Sequence, residues 1–428
     1  MKVSVVIPVH NKAPFLRACL DSVFAQTFGD FEAIAVDDAS TDDSLAILRA
    51  CTDPRLRVEA LPRNLGPAGA AQHAMDRATG TYIMRVDADD LLMPERFAQQ
   101  VQWLDAHPEV GVLGTGARIL GDRVPSRRRP ADDADLRAQL LFGVAVFQPT
   151  SAYRTAVLRA HRLRYDPHWP RFGEDWLFQL RLARHTRFAN LPGELITYRH
   201  GPQGISHGLD RRAALAPLID HLARELDLPR HGPDDPALHA MAIGVMPATL
   251  DAATVDAFRD HLDRLAAWNA RTGWAPAAAM ARRLDHAWQA LFPHLPARGM
   301  DVVRAFRRRG GRMGARRWYY LVRTWAARTP NTPRPGRNSG CSPGNTPRGG
   351  ARPSSPPRSP CGPGISTACW WCPCSTAPAS PTCPRAWSCA ACGATPSARC
   401  RPPPPWCAPR TCCATWPAGA AVIRWPTP

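Results

Sequence analysis

The sequence predicts an α/β fold, a mostly parallel sheet with helices on both faces, followed by a helical extension and a tail of different character. Three observations carry this reading. Short β-branched apolar runs alternate with stretches of helical period through the first 120 or so residues. Past about residue 209 the strand-like runs give way to Ala/Leu/Arg-rich amphipathic stretches. From about Thr329 onward Asp, Glu and Lys are absent and aliphatic residues are scarce. The expected division is therefore 1–208, 209–328 and 329–428.

Taken in order, "VSVVIPV" (Val3 to Val9) is a buried strand by its β-branched content. A helix is expected from about Pro14 to Ala25, with Phe15, Leu16, Cys19, Leu20 and Val23 on one face. "FEAIAVDD" is a second strand. "STDDSLAILRA" is a helix whose start is signalled by the capping-box spacing of Ser40 and Asp43. "LRVEAL" is a third strand, "GPAGAAQHAMDRATG" a small-residue helix closed by Gly80, and "YIMRV" a fourth strand. A helix from about Pro94 to Ala106 precedes "VGVLGTGARIL". Strand and helix alternating at this spacing call for parallel pairing through crossovers. Between about 130 and 208 the signals are mixed, with helices near Asp132–Leu141 and from Glu174 to about Arg184.

Charge and cysteine are unevenly spread. The net charge of +18 suggests a nucleic-acid or acidic-membrane binder. However, all 36 acidic residues lie at or before Asp301, against 35 Lys and Arg in the same span. The N-terminal part is thus close to neutral, and no nucleic-acid partner is expected. Only Cys19 and Cys51 of the 14 cysteines precede position 341, the pattern of a reduced, cytoplasmic protein. No signal peptide and no apolar run long enough to span a bilayer is visible. The segment "RAFRRRGGRMGARRWYYLVRTWAAR" reads first as a solvated basic helix packing its aromatics on the helical part, and second as a peripheral contact with the inner face of a membrane.

In the tail, Cys369–Cys372 and Cys389–Cys392 have zinc-ligand spacing, but their surroundings are saturated with proline. A GC-rich gene read in a shifted frame yields this Pro, Arg, Ala, Gly, Ser, Cys and Trp mixture. A frameshift between about 325 and 340 is expected, leaving a disordered or out-of-frame tail.

In open α/β sheets ligands sit beyond the carboxyl ends of the strands. Three polar clusters, "PVHN", "DDAS" and "DADD", fall there. Asp87, Asp89 and Asp90 crowd three negative charges at one strand end, an arrangement that a divalent cation bridging to phosphate oxygens would relieve. Any single one of them has a plainer role: Asp90 could cap the helix at Pro94, and Asn11 the helix at Pro14.

The blocks "VSVVIPVHN", "AVDDASTDDS", "RNLGPAGAAQHAMDRATGTYIMRVDADD", "PERFAQQVQWLDAHPEVGVLG", "FGEDWLFQLRLA" and "YRHGPQGIS" resemble, in order over about residues 1–207, the family 2 glycosyltransferases of the GT-A fold. The resemblance implies an inverting transferase taking a sugar from a nucleotide-diphosphate donor, a UDP-sugar first, to a glycan or lipid-linked acceptor. Pro8, Val9, Asn11, Asp38, Asn64 and Asp87 would line the nucleotide site, and Asp89, with His200, would hold Mn²⁺ or Mg²⁺. Asp175, beside Glu174 in the "ED" block, would be the general base, kept ionised by a helix N-terminus. Many relatives carry an arginine seven residues after the asparagine of the "RNLG" block. Ala71 stands there, so Arg63, Arg85, Arg199 or His200 would have to meet the diphosphate. The rival readings are a nucleotide-sugar-binding remnant without catalysis and a zinc or nucleic-acid binder acting through the tail.

Overall fold

The computed structural model describes residues 1–120, 129–169, 172–199 and 208–326. His200 and the whole cysteine-rich tail, with its expected frameshift, lie outside them. The strands are β1 (Val3–Val9), β2 (Phe31–Asp37), β3 (Leu56–Ala60), β4 (Tyr82–Arg85), β5 (Leu91–Leu92), β6 (Val110–Leu120), β7 (Ala152–Arg154) and β8 (Arg187–Arg199). They form one sheet in the order β3-β2-β1-β4-β7-β6-β8-β5. The first four pair in parallel, as the crossover spacing requires. β7 then inserts antiparallel between β4 and β6, while β8 runs parallel to β6 and antiparallel to the short β5.

Side-chain alternation along β1 feeds two cores. Val3, Val5, Ile7 and Val9 pack with Leu16, Cys19, Leu20 and Val23 of α1 (Ala13–Phe24) and with Phe97, Val101 and Leu104 of α4 (Arg96–Ala106). On the other face, Val6, Ile34 and Val36 meet Ala70, Ala71 and Ala74 of α3 (Gly66–Met75). Each fully buried aliphatic side chain contributes roughly 1.5–3 kcal/mol of transfer free energy. The second core runs on without a break into the helical extension, through Leu218 and Leu222 of α8 (Arg211–Glu225), Phe258 and Trp268 of α10 (Ala252–Thr272) and Trp288 of α11 (Ala277–Ala290).

Several local expectations are corrected by tertiary contacts. The helix after β2 is only α2 (Ser44–Arg49), and Ser40 forms no capping box, because its hydroxyl accepts from the Asn11 N–H. α3 ends at Met75, so Gly80 does not close it. Gly80 instead lies against β1, donating its N–H to Ser4 Oγ at 2.8 Å. A Cβ built there would stand 2.6 Å from the Ser4 nitrogen and 2.7 Å from the Val3 carbonyl carbon. The mixed signals between 130 and 208 hide β7 and β8. Pro192 and Gly193 lie inside β8, which follows β6 by register shifts around Thr115, Gly116 and Ala117. Of the aromatics in the basic segment, Phe306 is buried in the core, but Trp318, Tyr319 and Tyr320 on α13 (Ala315–Ala326) are exposed, Tyr319 to 67%.

Because Gly80 faces rigid backbone, Gly80→Ala is expected to destabilise the fold by roughly 1–3 kcal/mol in urea unfolding. An unchanged midpoint would mean that the loop after α3 can retreat from β1.

Candidate functional site

The β1–β4 ladder stops at Val6↔Arg85, whereas β1 continues beside β2 to Val9↔Asp37. Pro8, which has no N–H to offer, sits just past the point where β4 leaves. The chain order reverses between β1 and β4, so the crevice opens at the switch point of the sheet. The polar clusters named from the sequence gather around it.

On the β2 side, Asp38 is buried with its Oδ1 accepting from the Leu65 N–H at 2.6 Å. Asn64 donates to the Asp38 carbonyl at 3.2 Å, and His10 Nδ1 lies 2.9 Å from the same oxygen. Val9 accepts from the Asp38 N–H at 2.7 Å, locking the two strand ends together. Asn11 has left-handed backbone (φ 51°), which asparagine tolerates better than most side chains. It does not cap α1. Its Oδ1 accepts from the Thr41 N–H at 2.8 Å, while Asp42 and Ser44 reach across to accept from the N–H groups of Ala13 and Lys12. Asn11 thus ties the loop after β1 to the loop after β2.

The crowded aspartates are separated by three different devices. Asp87 accepts from Arg85 Nε at 3.2 Å. Asp89 Oδ2 contacts the Lys12 ammonium at 2.5 Å. Asp90 is 1% exposed and caps no helix; its Oδ1 accepts from the Arg199 N–H of β8 at 2.9 Å. Burial, followed by the charge of Asp87, pushes the Asp90 carboxyl up to about 8. Behind them the buried Arg96 donates to Gln100 and to the Arg85 carbonyl.

The "ED" block opens α7 (Glu174–Leu182), with Gly173 in left-handed backbone (φ 82°) just before it. Trp176 donates its N–H to Asp175 Oδ1 at 2.8 Å and its indole N–H to the Leu140 carbonyl. Burial raises the Asp175 carboxyl; the Trp176 N–H and Arg85 oppose the shift, and Asp87 adds to it. Glu174 is pushed up to about 8, by burial first and by Asp175 second. Two adjacent carboxyls cannot both ionise cheaply, which favours sharing one proton between them. The N–H donor favours Asp175 as the ionised member and Glu174 as the protonated one. For Arg85, burial opposes the charge, but Asp87, Tyr165, Tyr153 and Glu174 outweigh it and raise its pKa.

The donor set suits a hard divalent cation. Asp89 and Asp87 offer carboxylate oxygens, the buried Asp90 Oδ2 has no hydrogen-bond partner among the described residues, and a cationic ammonium already sits on Asp89. No three His, Cys, Asp or Glu side chains form a ready cage among the described residues. The protein would therefore supply one or two oxygens, and diphosphate and water the remainder, as is common for Mg²⁺-type sites.

From the sequence Lys12 has no assigned role, His10 appears only within the "PVHN" cluster, and Ser40 to Ser44 read as a helix start and not as the loop that meets Asn11 and Lys12. The available signal was position, since Lys12 follows "PVHN" directly and is one of only two lysines in the chain. Of the four candidates for replacing the basic side chain at Ala71, Arg85 is committed to Asp87. Arg199 stacks over Phe15 at 4.4 Å and donates to the Asp89 carbonyl.

The family model described as "Glycosyl transferase family 2" matches residues 4–161. A putative glycosyltransferase EpsE of Bacillus subtilis is 32% identical over 189 residues, covering 41% of this chain and 67% of its own. An uncharacterized glycosyltransferase of Haemophilus influenzae is 26% identical over 47% of this chain and 66% of its own. Staphylococcus aureus TarS, a poly(ribitol-phosphate) β-N-acetylglucosaminyltransferase, is 29% identical over 42% of this chain and 32% of its own. The match thus spans about two thirds of the first two relatives and about a third of TarS. A crystal structure of TarS 1–349 with UDP-GlcNAc superposes with a TM-score of 0.47 at 20% identity, covering 72% of this chain and 90% of that one.

The raised Glu174 carboxyl has a thermodynamic consequence. A folded-state value above the ordinary 4.5 adds stability that is whole below pH 4.5 and is lost as pH rises towards 8. Glu174→Gln, always neutral, should match the parent at pH 4.5 and exceed it by on the order of 2 kcal/mol at pH 8 in urea melts. Parallel stability curves for the two proteins would mean that Glu174 ionises freely.

Proposed function

This chain belongs to glycosyl transferase family 2, and from that premise we propose that it is an inverting transferase. It moves a sugar from a nucleotide-diphosphate donor, a UDP-sugar first as the family resemblance implies, onto a hydroxyl of a glycan or lipid-linked polysaccharide, an acceptor class in keeping with the name of TarS. The observation that carries the reading is the rim itself: Asp87, Asp89 and Asp90 gather at the switch point of the sheet, each held by a partner from a different element, Arg85 of β4, Lys12 before α1 and the Arg199 N–H of β8.

In this reading Pro8, Val9, Asn11, Asp38 and Asn64 form the nucleotide wall, Asp87 lies at the ribose, and Asp89 holds Mn²⁺ or Mg²⁺, with His200 as a further ligand. A divalent cation bound there neutralises the negative charge that grows on the leaving diphosphate. Asp175, the ionised member of its pair, accepts the proton of the acceptor hydroxyl as that oxygen attacks the anomeric carbon. One base opposite one leaving group gives a single displacement, and hence inversion. Arg85 positions the rim carboxylates and holds Asp175 towards its ionised form.

A second reading, a nucleotide-sugar-binding remnant without turnover, shares the nucleotide wall and differs only at the base. Calorimetric titration of UDP and GDP, with and without Mn²⁺, is expected to give metal-dependent binding of UDP that Asp89→Asn removes. Asp175→Asn should keep that binding and lower kcat by about 10²–10⁴-fold. Wild-type protein that binds UDP-sugar but neither hydrolyses nor transfers it would favour the remnant.

No helix among the described residues is long and apolar enough to cross a membrane. We place the protein in the cytoplasm, touching the inner leaflet through α13, where Trp318, Tyr319 and Val322 are exposed beside Arg316 and Arg323. Sedimentation with anionic vesicles, lost in a Trp318→Ser/Tyr319→Ser/Val322→Ser variant and absent with neutral vesicles, is the expected result. Equal sedimentation of both proteins would remove the membrane contact.

A further inference from the structure

The contact between Lys12 and Asp89 joins the start of α1 to the end of β4, 77 positions away in sequence. The Lys12 ammonium stands 2.5 Å from Asp89 Oδ2, with the two side chains only 19% and 14% exposed. At that burial the attraction is not fully screened by solvent. Arg199 also approaches Asp89, but it donates to the backbone carbonyl and leaves the carboxylate to Lys12. The Lys12 backbone is fixed: its N–H donates to Ser44 Oγ at 2.8 Å, and its carbonyl accepts from the N–H groups of Phe15 and Leu16 at 2.9 Å. Only the four-carbon stem is free to swing.

Residue type matters here. The chain holds 54 basic side chains and only two are lysines; the other, Lys2, is bound to Asp105. A guanidinium on Asp89 would grip the carboxylate through two parallel hydrogen bonds, whereas an ammonium is a single, exchangeable point charge.

The geometry points to Lys12 as a tethered counter-ion that a divalent cation must displace from Asp89, an exchange that rests on the metal role proposed above for Asp89. Lys12 occupies only Oδ2 of Asp89, but an ammonium and a divalent cation held on one carboxylate repel each other at that range, so metal entry favours release of the ammonium. The released group remains on the loop that carries His10 and Asn11, beside the space proposed for the diphosphate. Lys12 therefore opposes cation binding in the empty site and favours the anionic nucleotide once the cation is in place. Cation and nucleotide are coupled through one side chain, and by linkage each strengthens the binding of the other. Without metal, Asp89 then keeps a counter-ion of its own.

The test is Mn²⁺ binding to the full-length protein, followed by the electron paramagnetic resonance signal of free Mn²⁺, with and without UDP. Lys12→Met is expected to bind Mn²⁺ about three- to tenfold more tightly than wild type without nucleotide. UDP affinity at saturating Mn²⁺ should fall by a similar factor. A purely structural role would weaken both, so the opposite signs are the signature. Lys12→Gln, which retains a polar tip, is expected to move both affinities the same way and covers the case in which the methionine variant folds poorly. Asp89→Asn should abolish Mn²⁺ binding in either background. Equal Mn²⁺ affinity in wild type and both Lys12 variants, with Asp89→Asn still abolishing it, would overturn the counter-ion role and leave the metal reading intact. No Mn²⁺ binding to any of them, even with UDP, would overturn the metal reading and the exchange together.

Discussion

Negative charge concentrated at one rim of the sheet is the constraint to which the rest of the structure answers. Asp37 and Asp38 at the end of β2, Asp87, Asp89 and Asp90 after β4, and Glu174 and Asp175 at the start of α7 converge on the β1–β4 crevice. Left bare, such a set would repel itself apart. Each carboxyl is instead handled differently. Arg85 pairs with Asp87, Lys12 with Asp89, and backbone N–H groups serve Asp37, Asp38 and Asp175. Burial holds Asp90 and Glu174 protonated up to about pH 8. Unlike a solvated acidic face, this set includes groups poised to change partner or proton.

The helical extension belongs to the same solution. Gly173, whose left-handed backbone turns the chain into α7, lies so close to α8 that a Cβ there would stand 2.3 Å from Leu218 Cδ2. α8 therefore backs the turn that aims Glu174 and Asp175. On the far side of α7, Gln179 accepts from the Ala145 and Val146 N–H groups and donates to the Val146 carbonyl, fixing the helix against the preceding loop. The extension thus supports the base, although none of its residues is proposed to touch substrate.

Much of this was legible from residue order alone. The β-branched run of Val3–Val9 and the periodicity of α1 describe elements whose burial depends on local pattern, and both stand where expected. The rim clusters were legible as well, because a polar triplet after a buried run has nowhere to point but out of the sheet. Local capping was less legible. Ser40, Asn11 and Asp90 all carry short polar side chains suited to capping, yet each is claimed by a partner between 29 and 109 positions away. Long-range hydrogen bonds override local ones wherever two loops meet over a buried crevice. β8 is hidden for a related reason: Pro192 and Gly193 disfavour a strand in isolation, and only pairing with β6 shows where the register shifts fall.

By itself, then, the sequence determined that acids would gather at the carboxyl ends of a parallel sheet, because alternation and crossover length follow from backbone geometry. Only the tertiary structure decided which acid meets which base. Arg85 or Arg63, Lys12 or Lys2 could each have answered Asp87 or Asp89 on composition alone. The choice belongs to strand register and to the direction in which α1 leaves β1, quantities that no single segment encodes. The same holds for protonation, since the state of Glu174 depends on burial and on the charges of Arg85 and Asp87, which lie nearly ninety residues before it in the chain.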